Sequence, residues 1–267
     1  MSAATAATPG AAGHGGSGHA SLPADPPWYR TNYLLAILIA GIFVAIVDLA
    51  PIPPQALISI LVGLPFVGAL VVMFLPRQWP NAIRGFALGV TLMEMILSAY
   101  LFTGDYSTHQ MQFVETSELI PAFGIGWNVG VDGISYLLVL LTTILTPISL
   151  YVSWGTVETK VKEFAIAFLM LEVGMVGAFV ALDLFLFYVF WELMLVPMLL
   201  IIGIWGGKDR IYASVKFFLY TMVGSLLMLV AVLYTVAQYR TLSGGNWSFA
   251  LADLTRQVRE SEAARQA

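Results

Sequence analysis

The chain has 267 residues, a formal net charge of −4, no cysteine, 59% hydrophobic residues and only 10% charged ones. Soluble domains carry roughly 25% charged residues, so a water-soluble globular protein is excluded, and the missing cysteines exclude disulfides, iron–sulfur ligation and thiol chemistry in this chain. The weak, dispersed charge argues against nucleic acid as a partner and leaves the lipid bilayer as the natural solvent.

Residues 1–32 open with a run rich in Ala, Gly, Ser and Pro and read as a disordered leader. No basic segment precedes an apolar one there, so the leader is not a secretory signal. Beyond it the fold class is all-α and polytopic. A spanning helix needs about 20 mostly apolar residues, and that ruler predicts seven, near 33–50, 56–75, 82–103, 134–154, 163–182, 184–206 and 211–237. Pro51, Pro53 and Pro54 end the first, Pro76 and Pro80 bracket the turn after the second, and Gly206-Gly207-Lys208-Asp209-Arg210 follows the sixth. The one long connection between helices, 104–133, has Trp127, Val129 and Val131 in alternation, which predicts a short hairpin on the outer face. Residues 238–267 alternate apolar and charged side chains and read as a soluble tail, helical from Phe249.

Orientation follows from the basic residues, because short cytoplasmic loops collect Lys and Arg. Arg77 and Arg84, then Lys160 and Lys162, then Lys208 and Arg210 mark alternate connections, whereas 51–55 and 104–133 have no Lys or Arg. The pattern puts the N-terminus and the three basic loops in the cytoplasm. The tail, with four Arg, then lies outside and fits the rule poorly.

An ionisable group at bilayer depth costs at least about 2.5 kcal/mol on insertion scales, so each one asks for a reason. Four fall well inside the predicted spans, away from their ends: Glu94, Glu172, Glu192 and Lys216. Glu192 stands in an apolar helix with Pro197 five residues on. Pro197 lacks an N–H, which frees the carbonyl of Leu193 and makes a polar spot where a carboxyl can load and release a proton. The alternative is an ion pair that pins two helices. Glu172 lies eleven residues before the turn at Asp183 and Glu192 nine after it, so their depths differ by only about 3 Å. If the two face each other, they share a proton and form a relay. Lys216 shares a face with Tyr212 and Tyr220 and reads either as a relay or as a lysine snorkelling to the interface. Glu94 has no local context, and Asp48 and Asp183 fall at helix ends where solvation is easy.

The run from Ala181 to Met198, with Phe190-Trp191-Glu192-Leu193-Met194-Leu195-Val196-Pro197-Met198 at its centre, resembles chain M of NADH-quinone oxidoreductase, one of the antiporter-like subunits of respiratory complex I. Trp205-Gly206-Gly207, Lys216-Phe217-Phe218-Leu219-Tyr220-Thr221, Gly224-Ser225-Leu226-Leu227 and Gly130-Val131-Asp132-Gly133-Ile134-Ser135 continue the likeness over about 56–255. The resemblance implies an inverted-repeat antiporter-like fold over 51–237, with 33–50 as an additional helix. It implies a role in proton translocation coupled to quinone reduction, with Glu192 as the channel glutamate and Lys216 as a lysine of less settled role. It implies no cofactor in this chain, with NADH, flavin, iron–sulfur clusters and quinone handled by partner subunits, and chains of the L and N type as neighbours in a bacterial inner membrane. The family's later lysines and terminal glutamate have no counterpart here, so an N-terminal half of the subunit is expected. A non-conducting structural half-subunit, or a subunit of a related membrane-bound hydrogenase or cation/proton antiporter, are the competing readings. No nucleophile–His arrangement or nucleotide-binding glycine loop points to a redox or hydrolytic site within the chain.

Overall fold

The computed structural model describes residues 36–38, 41–42, 53–106 and 110–266. The predicted leader and all but five residues of the predicted first span lie outside the described residues. Those five are helical, and Ala36 joins an apolar cluster with Ala69 and Val72.

Six helices are long and apolar enough to cross a membrane. They are α1 (Leu57–Phe74), α2 (Pro80–Ser98, prolonged by a 3-10 turn at Ala99–Thr103), α3 (Ser135–Ser153), α4 (Val161–Val180), α5 (Leu184–Trp205) and α6 (Arg210–Leu242). These match six of the seven predicted spans within a few residues. Helix α4 is the hub and packs against α1, α2, α3 and α5, while α6 leans chiefly on α5 among the spanning helices described. The core divides into two apolar clusters. One holds Val72, Ala87, Leu150, Trp154 and Phe164 near the basic loops; the other holds Ile58, Leu97, Val129, Val139 and Val176 beneath the hairpin.

The basic residues of the loops between spanning helices gather at one end, where Lys162 and Arg210 close helix C-termini and the macrodipole favours positive charge. Lys162 donates to the carbonyls of Met73 (2.7 Å) and Leu75 (2.9 Å) at the end of α1. Arg210 donates to the Ile204 carbonyl at 2.9 Å at the end of α5, Arg84 to the Val157 carbonyl, and Arg77 pairs with Glu163 at 2.7 Å.

The opposite end carries the predicted hairpin, β1 (Gln112–Ile120) antiparallel to β2 (Ile125–Val131), with Val129 across from Glu115. Val129 and Val131 are fully buried. Glu115 reaches down to the start of α1 and accepts from the Ile58 amide (2.8 Å), the Ser59 amide (3.2 Å) and the Ser59 hydroxyl. The Trp127 indole donates to the same hydroxyl at 2.8 Å. The hairpin therefore supplies the N-terminal cap that α1 lacks locally. Asp183, given no role by sequence, is the buried N-cap of α5: it accepts from the Phe185 (2.9 Å) and Leu186 (3.1 Å) amides and from the Gly126 amide of β2 (3.3 Å).

The C-terminal segment is helical from Leu251, two residues from the expected start, and is docked on the rest of the chain. Helix α6 runs on to Leu242, and residues 247–254, which include the first turn of a last helix, α7 (Leu251–Gln266), dock on the hairpin. The Leu184 amide donates to Phe249 and the Leu251 amide to Leu182, both at 2.9 Å. Phe249 and Leu254 are buried with Ile125, Val232 and Val236. Mixed polarity hid this docking, because two buried side chains are enough to anchor the segment. Gly124, with φ +62°, sits against it so closely that a Cβ would lie 2.1 Å from the Trp247 carbonyl oxygen.

Candidate functional site

Two glycines of α4 decide where the intramembrane carboxylates point. A Cβ at Gly174 would meet Met194 and one at Gly177 would meet Phe190, so α4 and α5 approach through these four residues. Glu172 lies two positions from Gly174, and Glu192 two from both Phe190 and Met194, which is about 200° around a helix of 3.6 residues per turn. Each glutamate therefore points away from the partner helix. The expected Glu172–Glu192 relay does not form, because the hairpin needs its contact face for glycines and apolar side chains, and the two acids occupy its opposite outer faces.

Glu192 instead faces α6. Gly203 of α5 packs on Ser214 of α6, and both Glu192 and Ser225 lie eleven residues away, three helical turns in this antiparallel pair. The register brings the buried Ser225 to the level of Glu192, with Tyr188 interacting with both. Ser225 donates its own proton to the Met222 carbonyl at 3.0 Å. Glu192 is half-buried, and its Oε1 is enclosed without a hydrogen-bond partner among the described residues. Pro197 lies inside α5, as read from the sequence, so the Leu193 carbonyl has lost its helical N–H partner.

Glu172 turns inward, toward α2 and α3. It and Glu94 are both wholly buried, their carboxyls interact, and Thr146 of α3 stands beside Glu172. None of the four carboxyl oxygens has a donor in hydrogen-bonding geometry. The pair occupies the layer between the two apolar clusters, with Val90 and Leu169 on one side and Leu97 and Val173 on the other.

Lys216 is exposed, lies two positions from the α5-facing Ser214, and so points away from Glu192. Its ammonium rests 5.6 Å from the ring centroid of Tyr212, one turn earlier. The structure brings it to neither carboxyl site.

Residues 181–254 match the family model described as NADH:quinone oxidoreductase/Mrp antiporter, transmembrane. NADH-quinone oxidoreductase subunit M of Rhodobacter capsulatus is 51% identical over 190 residues, covering 69% of this chain and 36% of that protein. The chain is similar to part of subunit M. Chain 4 of the NADH-ubiquinone oxidoreductase of Arabidopsis thaliana is 42% identical over 186 residues, covering 69% of this chain and 38% of that protein. Among solved structures, a chain of respiratory complex I from Thermus thermophilus superposes with a TM-score of 0.61 at 32% identity, covering 75% of this chain and 39% of that chain. A chain of the membrane-bound sulfane sulfur reductase shares the fold, with a TM-score of 0.57 at 20% identity. The chain spans somewhat over a third of the length of the subunit M relatives it matches.

The subunit M resemblance read at Glu192 and Pro197 is thus borne out for family and fold. Sequence reasoning missed the partnership of Glu94. The available signal was the polar spacing Thr91, Glu94, Ser98 along one face of α2, with Thr143 and Thr146 in α3 offering a matching face.

Proposed function

We propose that this chain contributes to proton translocation in the membrane arm of a proton-pumping NADH:quinone oxidoreductase, with Glu192 as a proton-loading group. The supporting observation is the setting of Glu192: a carboxyl on an apolar spanning helix, one oxygen without a partner, beside the carbonyl freed by Pro197 and level with Ser225 of α6. Such a site binds a proton with little rearrangement and has hydroxyls in reach to pass it on. Lys216, on the exposed face of α6, acts at most as a secondary relay. Oxidation of NADH and reduction of quinone belong to partner subunits carrying flavin and iron–sulfur clusters, and chains of the L and N type adjoin this one. The membrane is a bacterial inner membrane, with the basic loops and the N-terminus in the cytoplasm.

Glu192→Gln keeps the shape and removes the titratable proton. In the assembled complex, reconstituted in vesicles, it is expected to depress proton uptake driven by NADH oxidation by tenfold or more while assembly on native gels is retained. Glu192→Asp is expected to keep part of the activity. Normal pumping by assembled Glu192→Gln complexes would leave the residue a helix-pinning role and favour a non-conducting half-subunit.

A further inference from the structure

We propose that Glu94 and Glu172 form a second proton-binding site in this chain, holding one exchangeable proton between their carboxyls. The site is independent of the reading of Glu192, which lies beyond α4 on the far face of α5. Three observations carry it. Both side chains are at 0% exposure, and both carboxyls lie against each other in the layer between two apolar clusters. No oxygen of either carboxyl has a donor in place. The third concerns the surroundings, where the hydroxyl that stands beside Glu172, that of Thr146, is already engaged. The Thr146 hydroxyl is committed to the Thr142 carbonyl at 2.8 Å, and Pro147 inside α3 deprives the Thr143 carbonyl of its helical N–H.

An ionised carboxyl accepts hydrogen bonds and cannot donate one. Two carboxylates in contact, away from water, leave their charges and every lone pair uncompensated. A single proton corrects both faults: one carboxyl becomes a donor, the other accepts, and the pair keeps one negative charge. Loading takes the proton from hydronium and leaves water, and release returns two carboxylates. Among the described residues no third His, Asp or Glu joins the pair, so the donor set suits a proton rather than a divalent metal. Helix α1 brings no titratable side chain to this layer, α3 brings threonines, and the acid and tyrosine of α5 face α6. One turn toward the hairpin, the buried hydroxyls of Ser98 and Thr143 meet at 2.7 Å and are the next groups able to carry a proton.

The test is infrared spectroscopy of the purified chain in lipid nanodiscs, in H2O and D2O. The unsubstituted chain is expected to show a protonated-carboxyl band that shifts in D2O. Glu94→Gln and Glu172→Gln are each expected to shift the band, because the surviving acid keeps its proton in the apolar layer but bonds to an amide in place of a carboxylate; Glu192→Gln is expected to leave it in place. Carbon-13 labelling of glutamate in the Glu192→Gln chain counts the protonated acid without touching the pair, should a substituted chain fail to insert. A count of zero, loss of half a two-acid band in each single variant, a band untouched by both, or a carboxylate band that responds to sodium instead of to D2O would each overturn the proposal.

Discussion

Asp183 ties two elements of the fold together through one side chain. Three amides converge on a side chain that is 1% exposed, two at the start of α5 and one from β2. Asp183→Ala strands all three, and the expected loss is about 1–3 kcal/mol, since a buried donor left unsatisfied costs about that much. Thermal unfolding of the purified chain in detergent measures it, and Asp183→Asn, which keeps an acceptor, should recover at least half. Asp132 shows the same chemistry where water reaches it. Its carboxylate accepts from the Ser135 (2.7 Å) and Ile134 (3.1 Å) amides, and those bonds, the Ser135 amide foremost, hold its pKa below the ordinary aspartate range. The folded pKa lies below the unfolded one, so the stabilisation is present above the unfolded value of about 3.9 and is lost as pH falls through the folded value. Asp132→Asn should flatten the acid limb of the stability–pH profile in that window and leave the neutral region nearly unchanged.

Among the elements, the α4–α5 hairpin is the most tightly specified. A Cβ at Gly177 would lie 2.4 Å from the Phe190 ring and one at Gly174 2.5 Å from Met194. Small residues let helix backbones approach in a membrane, where association depends on packing rather than on expulsion of water. Gly177→Ala is therefore expected to destabilise the hairpin by about 1–3 kcal/mol through overpacking. Phe190→Leu in the same chain should return part of that loss, and the same detergent melts would show it. An Ala variant as stable as the parent would mean that the helices slide freely, and the opposed directions of Glu172 and Glu192 would no longer be fixed by this contact. Helix α6 is the contrasting case. Among the spanning helices described it packs chiefly on α5, and it leaves Leu219, Leu227 and Val230 exposed.

At the scale of the whole molecule, the two ends of the bundle differ in their loops and in covering. Lys162, Arg210, Arg77 and Arg84 cluster at one end, while the hairpin, the Asp183 cap and residues 247–254 pack together at the other. If the basic end is cytoplasmic, a reporter fused in 104–111 must read as external and reporters beside Lys160 or Lys208 as internal. The reverse pattern would invert every assignment of side to the proton sites.

What sequence by itself determined was the order of the six described spans, their ends and the family likeness. About 20 apolar residues is a requirement of the bilayer, proline and glycine mark the turns chemically, and Trp191-Glu192 with Pro197 is legible as text. The hairpin could also be read, because Trp127, Val129 and Val131 alternate with the period of a strand. Only the tertiary structure decided which carboxyls meet. Glu172 and Glu192 share a depth yet part company, since depth depends on counting residues and direction depends on which face a helix gives to its neighbour. That face was set by Gly174 and Gly177, whose packing role is invisible until Phe190 and Met194 stand opposite. Glu94 found its partner across 78 residues of chain, over a loop and another helix, and an apolar window records nothing about such a distance. The docking of Phe249 and Leu254 was hidden for the same reason: hydropathy reports how a residue prefers to be solvated, while its neighbours are chosen by the packing of helices that sequence leaves free to rotate.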